Sequence, residues 1–249
     1  MKKLYIFGDS HVNTLIRAWN KVVKSDKHTE TFEINFYGRH GLNWFVFEMS
    51  DFEEGFRIRA NNAPQFRSVD YIINDLAGIY FFSSPLHSTK WLRDGPWKTH
   101  CPWTCISAAP GLQAVSSAVI ETWVMAELRC RFAMLQKLTA RDFKVIVIEP
   151  PKPFARLAAR LQINPAVIAG VNEMCRSFVM QWLKENNIPV IRVPDHTHSG
   201  GFTTPIYESQ NPDDPHHGSL QFGVEMLQKI IHYANGTNED SEKEILVFK

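Results

Sequence analysis

Three side chains of the types that can together perform acyl transfer stand near opposite ends of the chain. Ser10 lies in Leu4-Tyr5-Ile6-Phe7-Gly8-Asp9-Ser10-His11, and Asp214 and His217 lie in Asp213-Asp214-Pro215-His216-His217-Gly218. A serine hydroxyl becomes a strong nucleophile when an imidazole accepts its proton, and the imidazole keeps the right tautomer when a carboxylate holds its other nitrogen. The order Ser, Asp, His is compatible with that division of roles. Taken alone, Gly8-Asp9-Ser10 is more simply a glycine bend with Asp9 or Ser10 capping a helix. The Asp/His pair is what gives the serine a partner. His216 follows Asp213 at the same spacing one residue earlier and competes with His217 for the role of base.

These residues need elements to position them. Leu4–Phe7 is a short apolar run that reads as a buried strand, and Val12, Leu15, Ile16 and Trp19 follow at helical spacing. The turn between them therefore falls at the carboxyl edge of an open sheet, where ligands bind, with Ser10 at a helix amino terminus that offers free N–H groups. The Asp/His pair precedes a second helical stretch carrying Phe222, Val224, Met226, Leu227, Ile230 and Ile231. Further strands are expected at Phe32–Tyr37, Tyr71–Ile73, Val145–Ile148 and Val190–Val193, and helices at Val12–Lys24, Ala114–Thr139, Pro165–Glu185 and Leu220–Ala234. Strands alternating with helices predict a three-layer α/β/α fold around a doubly wound parallel sheet of about five strands. Residues 1–235 are expected to form a single domain. Residues 236–249 are expected to form a polar tail, whose Ile245–Phe248 could add an edge strand.

Gly8-Asp9-Ser10-His11 and Asp214-Pro215-His216-His217 resemble the first and last motif blocks of the SGNH, or GDSL-like, hydrolases. Gly218-Ser219-Leu220-Gln221-Phe222-Gly223 is similar to the pattern that trails the family's histidine, and this favours His217 over His216 as base. The resemblance runs through short motifs over nearly the whole chain and implies the flavodoxin-like fold of that family. It implies a serine esterase in which Ser10 is the nucleophile, His217 the base and Asp214 its orienting carboxylate. It also implies an oxyanion hole made by the Ser10 N–H, by Gly41 in Gly38-Arg39-His40-Gly41, and by an asparagine after the third strand. If that strand is Tyr71–Ile73 and keeps its usual family length, the asparagine position falls on Ile79. Asn74, in Asn74-Asp75, has the right letters but arrives early and is taken as the third donor. The implied substrates are short acyl esters, with O-acetyl groups on carbohydrate as the first guess. Two alternatives are an acyltransferase of the same fold and a non-catalytic carbohydrate- or partner-binding module with a degenerate oxyanion hole.

A stretch from about 79 to 111 fits no minimal version of this fold. It carries Tyr80, Phe81, Phe82, Trp91, Trp97 and Trp103 with little periodicity, and is read as an insertion covering the active-site edge. Trp91, Trp97 and Trp103 are either a substrate-stacking wall or the insertion's own small core. After the fourth strand, Lys152 and Arg156 could meet an anionic group, although a solvated lysine is the simpler reading. The polar loop 194–214 is expected to be mobile.

Composition narrows the function classes. The 249 residues are 44% hydrophobic and 21% charged, with a formal net charge of +1, so no general affinity for nucleic acid or anionic membranes is expected. Met1-Lys2-Lys3 leads directly into the first strand, and no run is long and apolar enough to cross a bilayer, so a cytoplasmic protein is expected. Cys101, Cys105, Cys130 and Cys175 fit reduced thiols. No cofactor and no metal site are expected, since neither Cys101–Cys105 nor Asp195-His196-Thr197-His198 has a partner pair at zinc spacing.

Overall fold

The computed structural model describes residues 1–21, 31–38, 47–52, 55–60, 69–83, 85–236 and 245–246. In chain order its elements begin with β1 (Lys2–Gly8), α1 (Val12–Lys21), β2 (Phe32–Gly38), β3 (Phe47–Phe52), β4 (Gly55–Ala60), β5 (Val69–Ile73) and β6 (Ile79–Phe82). There follow α2 (Thr89–Asp94), β7 (His100–Pro102), β8 (Gln113–Val115), α3 (Ser117–Thr139), β9 (Lys144–Ile148), α4 (Ala155–Leu161) and α5 (Pro165–Glu185). The last are β10 (Val190–Ile191), β11 (His198–Ser199), β12 (Phe202–Thr203), α6 (Leu220–Asn235) and β13 (Ile245–Leu246).

The principal sheet has the order β13-β10-β9-β6-β1-β2. Its neighbours pair in parallel except β13, which lies antiparallel on β10. The end of the polar tail thus contributes an edge strand. Each central strand is apolar on both faces, as a sheet covered by helices requires. Leu4, Ile6, Phe81, Ile146, Ile148 and Ile191 pack with α1 and α6, whereas Phe7, Tyr80, Phe82, Val145, Val147 and Val190 pack with α3 and α5. The result is the three-layer α/β/α architecture. Chain direction across the sheet reverses at β1, which has β2 on one side and β6 on the other, so the turns after β1 and β6 border a crevice.

Two expectations are corrected. Tyr71–Ile73 is the end of β5, which belongs to a separate antiparallel sheet β3-β4-β5. The third central strand is Ile79–Phe82, the first four residues of the stretch read as an insertion. Both segments carry strand-forming residues, but they differ in burial. Tyr80, Phe81 and Phe82 are at most 2% exposed, as a strand buried on both faces must be, whereas Ile72 is 54% exposed beside a fully buried Ile73. That alternation marks a strand with one wet face.

The rest of the expected insertion packs onto the α3/α5 layer. Trp91 and Trp97 are core residues, 2% and 1% exposed, and the Trp97 indole N–H donates to the Trp91 carbonyl at 2.7 Å. They belong to the core that the segment shares with α3 and α5, neither an exposed wall for a substrate nor a separate small core. Trp103 is 55% exposed on the 3-10 turn Trp103–Cys105. The Cys105 thiol of that turn faces the Ala166 carbonyl at the start of α5. Among the described residues the four cysteines are free thiols, and no helix is long and apolar enough to cross a membrane.

Candidate active site

Gly8 ends β1 where three elements meet. A Cβ there would lie 1.9 Å from Ser83 Oγ and 2.7 Å from Val12 Cγ2, so only glycine lets the end of β6 and the start of α1 close around the turn. The Ser83 N–H donates to the Phe7 carbonyl at 3.0 Å, and the Asp9 and Ser10 carbonyls accept from Val12 and Asn13 as α1 begins. The Ser10 N–H has no partner among the described residues, as expected of a donor just ahead of a helix.

The other half of the site is carried by the segment before α6. Ser219 caps α6 by accepting from the Phe222 N–H. Gly223 allows the helix to press on α1, because a Cβ there would come within 2.7 Å of the Thr14 carbonyl. This close packing sets the distance between the turn that opens α1 and the loop that opens α6. Arg156 of α4 pins that loop from outside, its Nη2 donating to the carbonyls of Ser209 at 2.7 Å and Asp214 at 2.6 Å. Arg160 donates to the Asp213 carbonyl, and the Ser209 N–H to the His217 carbonyl. The approach to the Asp/His pair, expected to be mobile, is therefore clamped at its end by an arginine whose Nη2 serves two carbonyls and whose Nε faces Glu208 Oε2 at 3.5 Å. Lys152 is not solvated either: it is 7% exposed, between Glu149 and Glu173.

These supports bring Ser10, His217 and Asp214 into one hydrogen-bonded line. His217 Nε2 is 2.6 Å from Ser10 Oγ, and His217 Nδ1 is 2.8 Å from Asp214 Oδ1. The same Asp214 oxygen accepts from the backbone N–H groups of His217 at 3.1 Å and His216 at 3.3 Å. Burial would raise the Asp214 carboxyl, but these donors and the adjacent ring hold it below its ordinary value. Burial and then the neighbouring His11 ring lower His217, against the opposing pull of Asp214, so the ring is neutral and able to accept a proton near neutral pH. His216 makes no hydrogen bond to Ser10 among the described residues, and its Nδ1 is without a partner there. Its carbonyl faces His11 Nε2 at 3.2 Å, and burial, followed by repulsion from the neighbouring imidazoles, pushes it down to about 3.

Of the oxyanion donors expected from sequence, Gly41 lies outside the described residues. Asn74 is a correction. It is exposed and precedes β6, at the amino edge of the sheet, with Ile79 as the first residue of that strand opposite Leu4. Four strand residues separate it from the carboxyl edge where Ser10 stands, roughly 13 Å at about 3.3 Å per residue, so it cannot donate there. The turn after β6 instead brings in Ser83 and His87, and His87 Nδ1 lies 3.3 Å from Asp9 Oδ2. Sequence reasoning missed His87 because it depended on which apolar run is the third strand.

No family model and no curated protein matches the chain. Among solved structures, a GDSL-like lipase from Bacteroides thetaiotaomicron VPI-5482 is similar at 14% identity, over 95% of this chain and 88% of that one, with a TM-score of 0.47. A lipase/acylhydrolase from Enterococcus faecalis is similar at 13% identity over 95% and 97% of the two chains, TM-score 0.41. An acetyl xylan esterase is similar at 13% identity over 92% and 97%, TM-score 0.44. Likeness at this level does not speak to chemistry, which has to be argued from the side chains.

Proposed function

We propose that the protein is a serine esterase acting on short acyl esters, O-acetylated carbohydrate being the first class to test. The observation that carries this reading is the unbroken line from Ser10 Oγ through His217 to Asp214, at 2.6 and 2.8 Å. His217 Nε2 takes the Ser10 proton as Oγ adds to the ester carbonyl. Asp214 keeps the imidazolium oriented and balances its charge, and the Ser10 N–H at the start of α1 donates to the oxyanion. His217 then protonates the departing alcohol and later activates a water that releases the acyl group from Ser10. A sugar hydroxyl in place of that water would make the reaction an acyl transfer, which product analysis with added acceptor separates from hydrolysis.

The direct test is covalent labelling by a fluorophosphonate. Wild type should label stoichiometrically, and Ser10→Ala and His217→Ala should not. A well-folded wild type that takes no label would move the reading to a binding module that keeps the triad geometry without a working oxyanion site.

A further inference from the structure

The nucleophile turn carries a second cluster that the triad does not use. Asp9 Oδ1 lies 2.8 Å from His11 Nδ1, and Asp9 Oδ2 lies 3.3 Å from His87 Nδ1. The far nitrogen of each ring meets an oxygen: His11 Nε2 the His216 carbonyl at 3.2 Å, and His87 Nε2 the Thr89 hydroxyl at 2.8 Å. A carbonyl can only accept, so His11 Nε2 carries hydrogen, and the Thr89 oxygen can hold His87 in the same tautomer. Each Nδ1 that gives up its hydrogen turns a lone pair toward the one carboxylate, so an ion can take the place of the shared proton. One ligand atom from each of the three residues lies within 4.8 Å of the others. Three electron-pair donors converging in this way form a seat for a cation.

We propose that Asp9, His11 and His87 form a binding site for one transition-metal dication of the Zn²⁺ or Co²⁺ kind. Two imidazoles and a carboxylate suit such an ion and do not suit Mg²⁺ or Ca²⁺, which take oxygen ligands. Tetrahedral zinc with N and O ligands places neighbouring donor atoms about 3.4 Å apart, so the observed separations need only small side-chain shifts. The outer contacts have the form that metal-binding histidines use, with the remote N–H given to a carbonyl or hydroxyl that fixes the ring. His216 stands near, its ring centre 5.5 Å from that of His11 and 5.6 Å from that of His87. Its buried Nδ1 has no hydrogen-bond partner among the described residues, so it offers a fourth imidazole. Asp214, His216 and His217 form another compact trio, but two of its members are committed to Ser10. The site departs from the expectation, drawn from spacing alone, that the chain has no metal site.

The proposal is independent of the esterase reading, because binding is read without turnover. Tag-free, metal-depleted protein is titrated with Co²⁺, followed by its d–d absorption, and with Zn²⁺ by calorimetry. One equivalent should bind. Asp9→Asn and His87→Gln should each abolish stoichiometric binding, Thr89→Ala should weaken it about tenfold, and His217→Ala should leave it intact. Far-UV circular dichroism of each variant separates a lost ligand from a lost fold, and Thr89→Ala tests the site without touching a ligand. Absence of saturable binding to wild type would overturn the proposal and leave a proton as the cation held by Asp9. Binding that survives His87→Gln, or disappears in His217→Ala, would overturn it as well, the latter placing the ion on the other trio.

Discussion

Asp214→Asn separates the charge of the carboxylate from its shape. In the native site one oxygen, Oδ1, takes the His217 Nδ1–H at 2.8 Å together with two backbone N–H groups. The amide oxygen of asparagine can keep the backbone contacts, so the loop should hold its course, especially with Arg156 fastened to the residue-214 carbonyl. What the amide cannot supply is negative charge behind the imidazolium. If its NH₂ faces the ring, His217 is driven into the tautomer with hydrogen on Nε2, where it meets Ser10 Oγ at 2.6 Å and cannot accept. Asparagine behind the histidine of a serine triad costs about 10⁴-fold in kcat, or about 5.5 kcal/mol of barrier. Asp214 serves the base rather than the ester, so kcat and kcat/KM should fall together with KM little changed. Initial rates on a chromogenic acetate ester, with fluorophosphonate labelling kinetics alongside, measure this. A loss below tenfold in Asp214→Asn, when Ser10→Ala removes turnover, would refute Asp214 as the orienting group.

Two further outcomes concern stability. Arg176 and Glu149 are each 4% exposed and pair at 2.7 Å, while Arg176 Nη2 also holds the carbonyls of Pro150 and Pro151 beyond β9. Arg176→Ala removes the nearest cation and leaves Glu149 with Lys152 at 3.6 Å and the Val193 N–H at 2.9 Å, so it should cost at most about 3–5 kcal/mol in urea unfolding; a loss below about 1 kcal/mol would show that the pair is not a closed buried unit. His216, pushed from 6.5 down to about 3 in the folded protein, binds its proton more readily when unfolded. Its contribution to stability is therefore present above about pH 6.5 and is lost as pH falls toward 3, at up to about 1.4 kcal/mol per pH unit. His216→Gln should flatten the pH dependence of the melting temperature across that window, and a variant that keeps the wild-type slope would exclude His216 as the source.

Much of the frame is legible because it rests on local pattern. Pro165–Glu185 has proline at its first position, an asparagine cap and helical periodicity, and the structure ends the helix at the expected residues. Leu4–Phe7 and Val145–Ile148 are unbroken apolar runs too short for helices, which is how strands buried on both faces must look. Ser10, Asp214 and His217 could be paired across the chain because an Asp-x-x-His before a helix supplies the carboxylate and imidazole that the serine of the first turn lacks, and the motif pattern after it favours His217 over His216. Arg156 gave no such signal, since its shortest contacts are to backbone carbonyls, which every residue carries whatever its side chain.

The misplaced third strand shows where local pattern runs out. Tyr71-Ile72-Ile73 and Ile79-Tyr80-Phe81-Phe82 are both acceptable strands, and only the partner distinguishes them: β1 accepts Ile79–Phe82 in register with Leu4–Phe7. Shifting the strand moves every residue after it, so Asn74 goes to the amino edge and the turn at the carboxyl edge becomes Ser83, Pro85, Leu86 and His87. No Asn or Gln occurs between Ser83 and Leu112, so that turn has no carboxamide to offer an oxyanion. Loss of one such donor costs about 10²- to 10³-fold in rate. A triad resting on main-chain N–H groups would therefore be slower than one with a carboxamide. The imidazole that takes this place is engaged with Asp9 and Thr89, which ties the turn after β6 to the turn that carries Ser10.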